Sequence, residues 1–328
     1  MTLNEQLIAL VAISASVAVW TAVLGRVRRG DEIIALEPRR TTPWAFVDLL
    51  LVVMAKFLFE MLGQVLLRDV WGIDLPDDIR ALGDHLIPLQ LVYTSSTLAT
   101  FAFAVVLLCL RAKANAADLG LRLDRLRYDL RVGFLGFVAL APPVYALQAA
   151  LVHFFPTQHP LIDILRERPE TAAVVVVSLS VAVVAPITEE FFLRVLLQGW
   201  LERIVATAVP GAFRSADHEQ SNSPIPEASS ADKDDAQTEN PYAAPRAAPA
   251  AAAQNIADVR LARAIPIVTS SLVFALLHVG QGPAPIPLFF LALGLGYLYQ
   301  RTHRIWAPVV VHFLLNTASL AMLWLGTS

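Results

Sequence analysis

Apolar residues in this chain fall into blocks near 20 residues long, each broad enough to cross a hydrocarbon layer of ~30 Å, and the polar residues collect between them. Windows of about 19 residues place eight blocks at 6–24, 45–67, 87–110, 132–152, 172–201, 264–279, 285–300 and 306–325. The pattern predicts an all-α fold, a polytopic membrane bundle of about eight transmembrane helices. The fifth block is too long for one perpendicular crossing. Its ~30 residues reach ~45 Å at ~1.5 Å per residue, so it should tilt, kink at Pro186 or protrude. The sixth and seventh blocks are short, as expected of helices screened from lipid by neighbours. No positively charged leader precedes the first block, which is expected to stay as an anchor.

Composition excludes a water-soluble globule. Of 328 residues, 56% are hydrophobic and 16% charged, against roughly 25% charged in soluble domains, and the mean hydropathy is +0.58. A net charge of -3 leaves no basic excess for nucleic acid. The single cysteine, Cys109, excludes an internal disulfide and a cysteine-rich metal cage.

Lys and Arg alternate from gap to gap. Arg26, Arg28, Arg29, Arg39 and Arg40 follow the first block, and Arg111, Lys113, Arg122, Arg125, Arg127 and Arg131 follow the third. Arg203, Arg214, Lys233, Arg246, Arg260 and Arg263 follow the fifth, and Arg301 and Arg304 the seventh. The opposite side keeps only Arg68, Arg80, Arg166 and Arg168. Basic residues are retained in the cytoplasm, so both termini are expected outside and the long gap inside. That gap, 211–257, holds five prolines, an alanine-rich tract and the acidic run Asp232, Asp234, Asp235. It has too little apolar surface to offset chain ordering and is expected to be a disordered Ala/Pro-rich tether. Residues 115–128, with leucines among arginines, suggest an interfacial segment. The chain thus divides into an N-terminal part, 1–128, and a core, 129–325, that the tether interrupts.

An ionisable group in hydrocarbon costs roughly 2.5 to 3.5 kcal/mol, so each needs a partner, a water cavity or a chemical role. Here they cluster in the C-terminal half. Block five carries Glu189, Glu190 and Arg194; block six ends in Phe274-Ala-Leu-Leu-His278; block eight contains His312-Phe-Leu-Leu-Asn316. Glu190 and Arg194 stand four apart on one helix and can neutralise each other. Glu189, about 100° round the helix, is then free to face a cavity as a general base must. His312 and Asn316 are also four apart, so an imidazole and an amide share one side, suited to donating hydrogen bonds to an oxyanion. Pro186 breaks the backbone ladder one turn before Glu189.

Depth agrees. At ~1.5 Å per residue Glu189 is about 21 Å from Arg203, His278 about 22 Å from Arg263, Asn316 about 18 Å and His312 about 12 Å from Arg304. A lone intramembrane histidine is ordinarily a helix-to-helix hydrogen-bonding residue; four polar groups from three blocks at similar depth suggest one site. Asp48, Lys56 and Glu60 read as a self-satisfying set, Gly294 and Gly296 as close helix packing. His85, His153, His159, His218 and His303 lie in gaps or at block ends and carry no assignment.

The ordered triplet Glu189-Glu190-x-x-x-Arg194, Phe274-x-x-x-His278 and His312-x-x-x-Asn316 resembles the three motifs of the CPBP family, the CAAX-processing and bacteriocin-processing intramembrane proteases of the Abi type. The resemblance covers roughly residues 130–325 and departs from the pattern only in the inserted gap between the first and second motifs. It implies an intramembrane endopeptidase, with Glu189 and His278 activating water, His312 and Asn316 stabilising the oxyanion, and Glu190 and Arg194 supporting. The substrate it implies is a peptide or lipidated protein, such as a prenylated C-terminal tetrapeptide, a leader peptide or a bacteriocin. Zinc is not expected as an obligatory cofactor, because His-Glu-x-x-His is absent; Glu189, His278 and His312 would be its ligands. There is no Gly-x-Ser-x-Gly motif and no pair of intramembrane aspartates. A transporter or proton relay would also bury such groups but should show repeat symmetry, which is missing; a non-catalytic immunity or scaffold protein on the same fold is the other alternative. The expected setting is a bacterial plasma membrane, with the site reachable from the cytoplasm.

Overall fold

Hydropathy marks where a chain is apolar, and helices extend past that wherever backbone bonding continues into polar sequence. The computed structural model describes residues 3–73, 85–156, 171–209, 212–213 and 250–325. Among them there is no strand, and eight helices stand where the eight blocks are: α1 (Leu3–Arg28), α2 (Phe46–Trp71), α3 (Leu86–Leu110), α4 (Leu126–Phe154), α5 (Thr171–Ala208), α6 (Ala250–Leu276), α7 (Pro285–Thr302) and α8 (Trp306–Leu325). Seven of these are long and apolar enough to cross a membrane. The remaining one, α7, closes with Gln300, Arg301 and Thr302, all buried against the rest of the protein. The chain is an integral, multi-pass membrane protein.

The fifth block is a helix of 38 residues with two changes of pitch. Its α-helical stretches, Thr171–Leu179, Ala185–Glu190 and Gly199–Ala208, are joined by wider π turns over Ser180–Val184 and Phe191–Gln198. At the first π turn the Ala185 N–H bonds five residues back, to Ser180 O. The next amide in that register belongs to Pro186, which has no N–H, so Val181 O lacks a partner within the helix.

Helix α5 sits among α3, α6, α7 and α8, with α2 paired to α3 and α4 packed on both α7 and α8. Helix α1 leans on α4, where Ser16 Oγ and Trp20 Nε1 donate to Ala139 O at 3.2 and 2.9 Å. Only 6% of the α1 apolar window is buried, so nearly all of it is left for lipid. One core cluster gathers Trp44, Leu49, Val52, Leu108, Phe191, Val195 and Tyr299, and a second joins Ala141, Leu291, Leu295, Ala307, Val311 and Leu315. Gly199 sits where the segment before α2 presses on α5. Thr42 Oγ1 donates to Gly199 O (2.9 Å) and Trp44 Nε1 to Leu196 O (3.0 Å), and a Cβ at Gly199 would lie 3.0 Å from the Thr42 methyl.

The gaps that share a basic excess meet at one end of the bundle. Arg304 reaches Asp129 (Nε–Oδ2 2.7 Å) and Glu37; Arg301 reaches Glu32 (2.8 Å); Arg39 reaches Glu202; Arg40 reaches Asp118. Arg203 donates to the carbonyls of Pro43 and Trp44 at 3.0 and 2.6 Å. Alternation of charge thus becomes a layer of ion pairs on one face.

Two details, at Asp48 and in the tether, differ from the sequence reading. Asp48 does not join Lys56 and Glu60. It caps the α2 backbone at Ala45 N (2.8 Å) and pairs with Arg111, while Lys56 and Glu60 pair with each other. The Asp48 carboxylate lies two turns before Lys56, at the end of α2 where the helix dipole favours an anion. The tether expected over 211–257 falls mostly outside the described residues, but 250–257 belong to α6, since alanine is the best helix former. His303 is buried in a left-handed turn with both ring nitrogens unpartnered. Burial, with Arg39 and Arg304 close by, holds its pKa well below the usual 6.5.

Two outcomes follow. Replacing Arg304 with Ala strands Asp129, whose side chain is 0% exposed, and should cost about 3 kcal/mol or more, read as a lowered thermal unfolding midpoint in detergent. For Asp118, burial pushes the pKa up, but the bonds from Arg40 and the Asn115 N–H outweigh it and hold the value below 3.8. The stability this ionised group contributes is complete above pH 3.8 and vanishes as pH falls through its depressed value. The unfolding midpoint of Asp118→Asn should therefore be lower than wild type near neutrality and converge with it in that acid range.

Candidate active site

Four residues at every fourth position of α5 are buried: Glu190, Arg194, Gln198 and Glu202. In a regular α-helix each such step runs ahead by about 40°. The π turn over Phe191–Gln198 is wider and turns less per residue, which offsets that drift and keeps the four on one face.

Glu190 uses both carboxylate oxygens. Its Oε2 accepts from Arg194 Nε at 2.9 Å, and its Oε1 lies 2.9 Å from His312 Nδ1 on α8. All three side chains are at most 5% exposed. A carboxylate accepting from Nδ1 fixes the imidazole plane and turns Nε2 outward. That nitrogen stands 4.0 Å from Glu189 Oε2. The separation is too long for a direct hydrogen bond. Glu189 itself is about one-third exposed, and its Oε2 is buried without a hydrogen-bond partner.

His278 lies just past the end of α6, in the turn that follows Leu276, not inside the helix as the sixth block implied. Its Nδ1 is 2.8 Å from Phe274 O. Phe274 is fully buried and its ring joins the two histidines, at 4.8 Å from the His278 ring and 5.7 Å from the His312 ring, with the Arg194 guanidinium 5.6 Å from its centroid. Both imidazoles are within electrostatic reach of Glu189.

Asn316, one turn beyond His312, donates from Nδ2 to Val181 O at 2.8 Å. The carbonyl that Pro186 leaves open is thus filled by a side chain from the site. A second Nδ2 hydrogen is left.

Glu189, Glu190, Arg194 and His312 therefore come together as a connected group, His278 joins them through Phe274, and Asn316 is anchored on the α5 backbone. Sequence reasoning had Glu190 serving Arg194 only; that it also holds His312 was not read. Gln198, Glu202 and Ser270 were missed altogether, although the first two continue the every-fourth spacing of Glu190 and Arg194.

For a metal, the donors do not fit as they stand. Among the described residues no three His, Cys, Asp or Glu side chains are grouped closely enough to hold an ion, and one nitrogen of each imidazole is engaged by Glu190 or Phe274.

A family model described as type II CAAX prenyl endopeptidase Rce1-like matches residues 250–318. That stretch carries Phe274, His278, His312 and Asn316, so it meets the resemblance seen in the second and third motifs. Comparison with curated proteins and with solved structures gives no match.

The geometry separates two adjacent acids by stability. Glu190→Gln leaves Arg194 buried without its counter-charge and should cost about 3–5 kcal/mol, whereas Glu189→Gln, at an open position with no ion pair shorter than 4.0 Å, should unfold within about 1 kcal/mol of wild type. Thermal unfolding of the two variants side by side checks this.

Proposed function

Starting from a chain whose residues 250–318 carry the Rce1-like signature of type II CAAX prenyl endopeptidases, we propose that it hydrolyses a peptide bond within the membrane, using a water activated by Glu189 and His278. The observation that carries this reading is the approach of Glu189 Oε2 to His312 Nε2 at 4.0 Å, with the other nitrogen of that imidazole held by Glu190.

Water held by Glu189, with His278 orienting it, gives a proton to Glu189 as its oxygen attacks the scissile carbonyl carbon. The carbonyl oxygen becomes an oxyanion, which takes hydrogen bonds from His312 Nε2–H and the second Asn316 N–H; one such donor is worth about 3 kcal/mol. For His312 to donate from Nε2 while Nδ1–H is held by Glu190 it must be the imidazolium, and the ionised Glu190 beside it favours that form. Collapse of the intermediate breaks the C–N bond, and the proton on Glu189 passes to the leaving amine. Products are a carboxylic acid and an amine, so atoms and charge balance. Arg194 acts by keeping Glu190 ionised and oriented. In this mechanism Glu189 takes the proton without help from a metal.

Access is from the face where the basic loops gather, the cytoplasmic side by the rule that retains Lys and Arg there. A lipidated protein tail or a leader peptide reaches such a site along the bilayer without crossing it. The family match favours the CAAX-type tail, a peptide bond close to a prenylated C-terminus.

Comparing peptide termini in membranes that express wild type or Glu189→Gln tests the reading. New termini should be present with wild type and fall at least about a hundredfold with Glu189→Gln, at equal protein level. Identical termini in both would point instead to a scaffold. Activity should survive chelation; loss that is restored by zinc would overturn the metal-free form of the mechanism.

A further inference from the structure

We infer that Ser270, Gln198 and Glu202 are positioning residues for the hydrolytic site, forming a buried relay that fixes Arg194, and through it Glu190 and His312, from the polar face of the bundle; this rests on the reading of the site as a hydrolase. The relay is continuous. Arg194 Nη1 donates to Ser270 Oγ on α6 (3.3 Å), the one Ser270 hydroxyl hydrogen is shared between Gln198 Oε1 (3.2 Å) and Ile267 O (3.1 Å), and Gln198 Nε2 donates to Glu202 Oε1 (3.0 Å). Glu202 is also met by Gln300 Nε2 on α7 (3.4 Å) and by Arg39. Arg194, Ser270 and Gln198 are 0% exposed and Glu202 2%, while Arg39, at 17%, is the member that touches the outer face.

Each link constrains the next. A guanidinium in an apolar interior cannot use water, so its plane follows the acceptors it has: Nε on Glu190 and Nη1 on Ser270 fix it, while Nη2 is buried without a hydrogen-bond partner. The Gln198 amide has a fixed sense, because Nε2 also donates to Gly296 O (2.9 Å) and a flip would set its oxygen against that carbonyl and the Glu202 carboxylate. A Cβ at Gly296 would lie 3.0 Å from Gln198 Oε1, so the bare backbone there is what admits the amide. With Ser270 removed, Arg194 keeps Glu190 and the Phe274 ring but loses the acceptor that fixes Nη1, so its plane can tilt and carry Glu190 and His312 with it. Misplacement of ~1 Å at a reacting group lowers turnover by up to about a hundredfold.

A double-mutant cycle decides between positioning and bulk structure. Ser270→Ala in the wild-type background should lower kcat by about tenfold or more with KM unchanged, and Ser270→Thr, which keeps the hydroxyl, should recover most of it. In a Glu190→Gln background Ser270→Ala should cause little further loss, since the group it acts through is gone. Equal loss in both backgrounds, or wild-type kcat for Ser270→Ala, overturns the inference. The same four proteins are also compared by thermal unfolding, where Ser270→Ala and Glu190→Gln, whose side chains do not touch, should be non-additive. If wild type shows no cleavage, the hydrolase reading fails on that result, and the unfolding cycle still decides the relay, with additive losses sinking it.

Discussion

A carboxylate that must satisfy two partners at once holds this structure together at its centre. Glu190 is wholly inside the protein, and each of its oxygens is 2.9 Å from a different donor, Arg194 on its own helix and His312 on α8. Removing Glu190 or Arg194 leaves a charge with no water to replace its partner, a situation that costs several kcal/mol. The helices that supply them, α5 and α8, are therefore set against each other in one rotation. Phe274, fully buried and in ring contact with His278, His312 and Arg194, brings α6 into the same arrangement by packing.

Backbone irregularity serves the same end. Helix α5 would lose the alignment of its polar stripe if it kept one pitch, and in the wider register of its first π turn Pro186 leaves Val181 O unsatisfied. The wider turns supply the first correction and Asn316 the second. A proline and a π turn inside a membrane helix are tolerated because neighbouring helices satisfy the backbone they disturb, and here the side chain that does so belongs to the site. Scaffold and chemistry share an amide.

The eight helices were legible because hydrocarbon imposes a length and a composition that windows can count. Their ends were less so. Helix α4 begins at Leu126 instead of 132, α5 runs to Ala208 instead of 201, and α6 begins at Ala250 instead of 264, each time because helical bonding continues through polar residues that lower an apolar average. The motif residues were legible as charges in the wrong solvent, and the basic gaps as one side of a membrane. Partner choice was not. Asp48 takes Arg111 over Lys56, and His312 takes Glu190, because such pairings depend on how α2 meets α3 and how α5 meets α8. Ser270, Gln198 and Glu202 escaped notice since a serine or glutamine near the end of an apolar block is unremarkable until the helix beside it is known.

A π turn is an α-helix that has taken up an additional residue without growing a new turn. Deleting a single residue between Phe191 and Gln198 would let the backbone fall back to uniform winding, with the turns on either side keeping nearly the same mutual orientation. Inside the stretch, a deletion at 192–193 or 195–197 would shrink one of the every-fourth steps from Glu190 through Arg194 to Gln198 to three and break the buried stripe. Sequence length in this short stretch is thus as much a requirement as residue type.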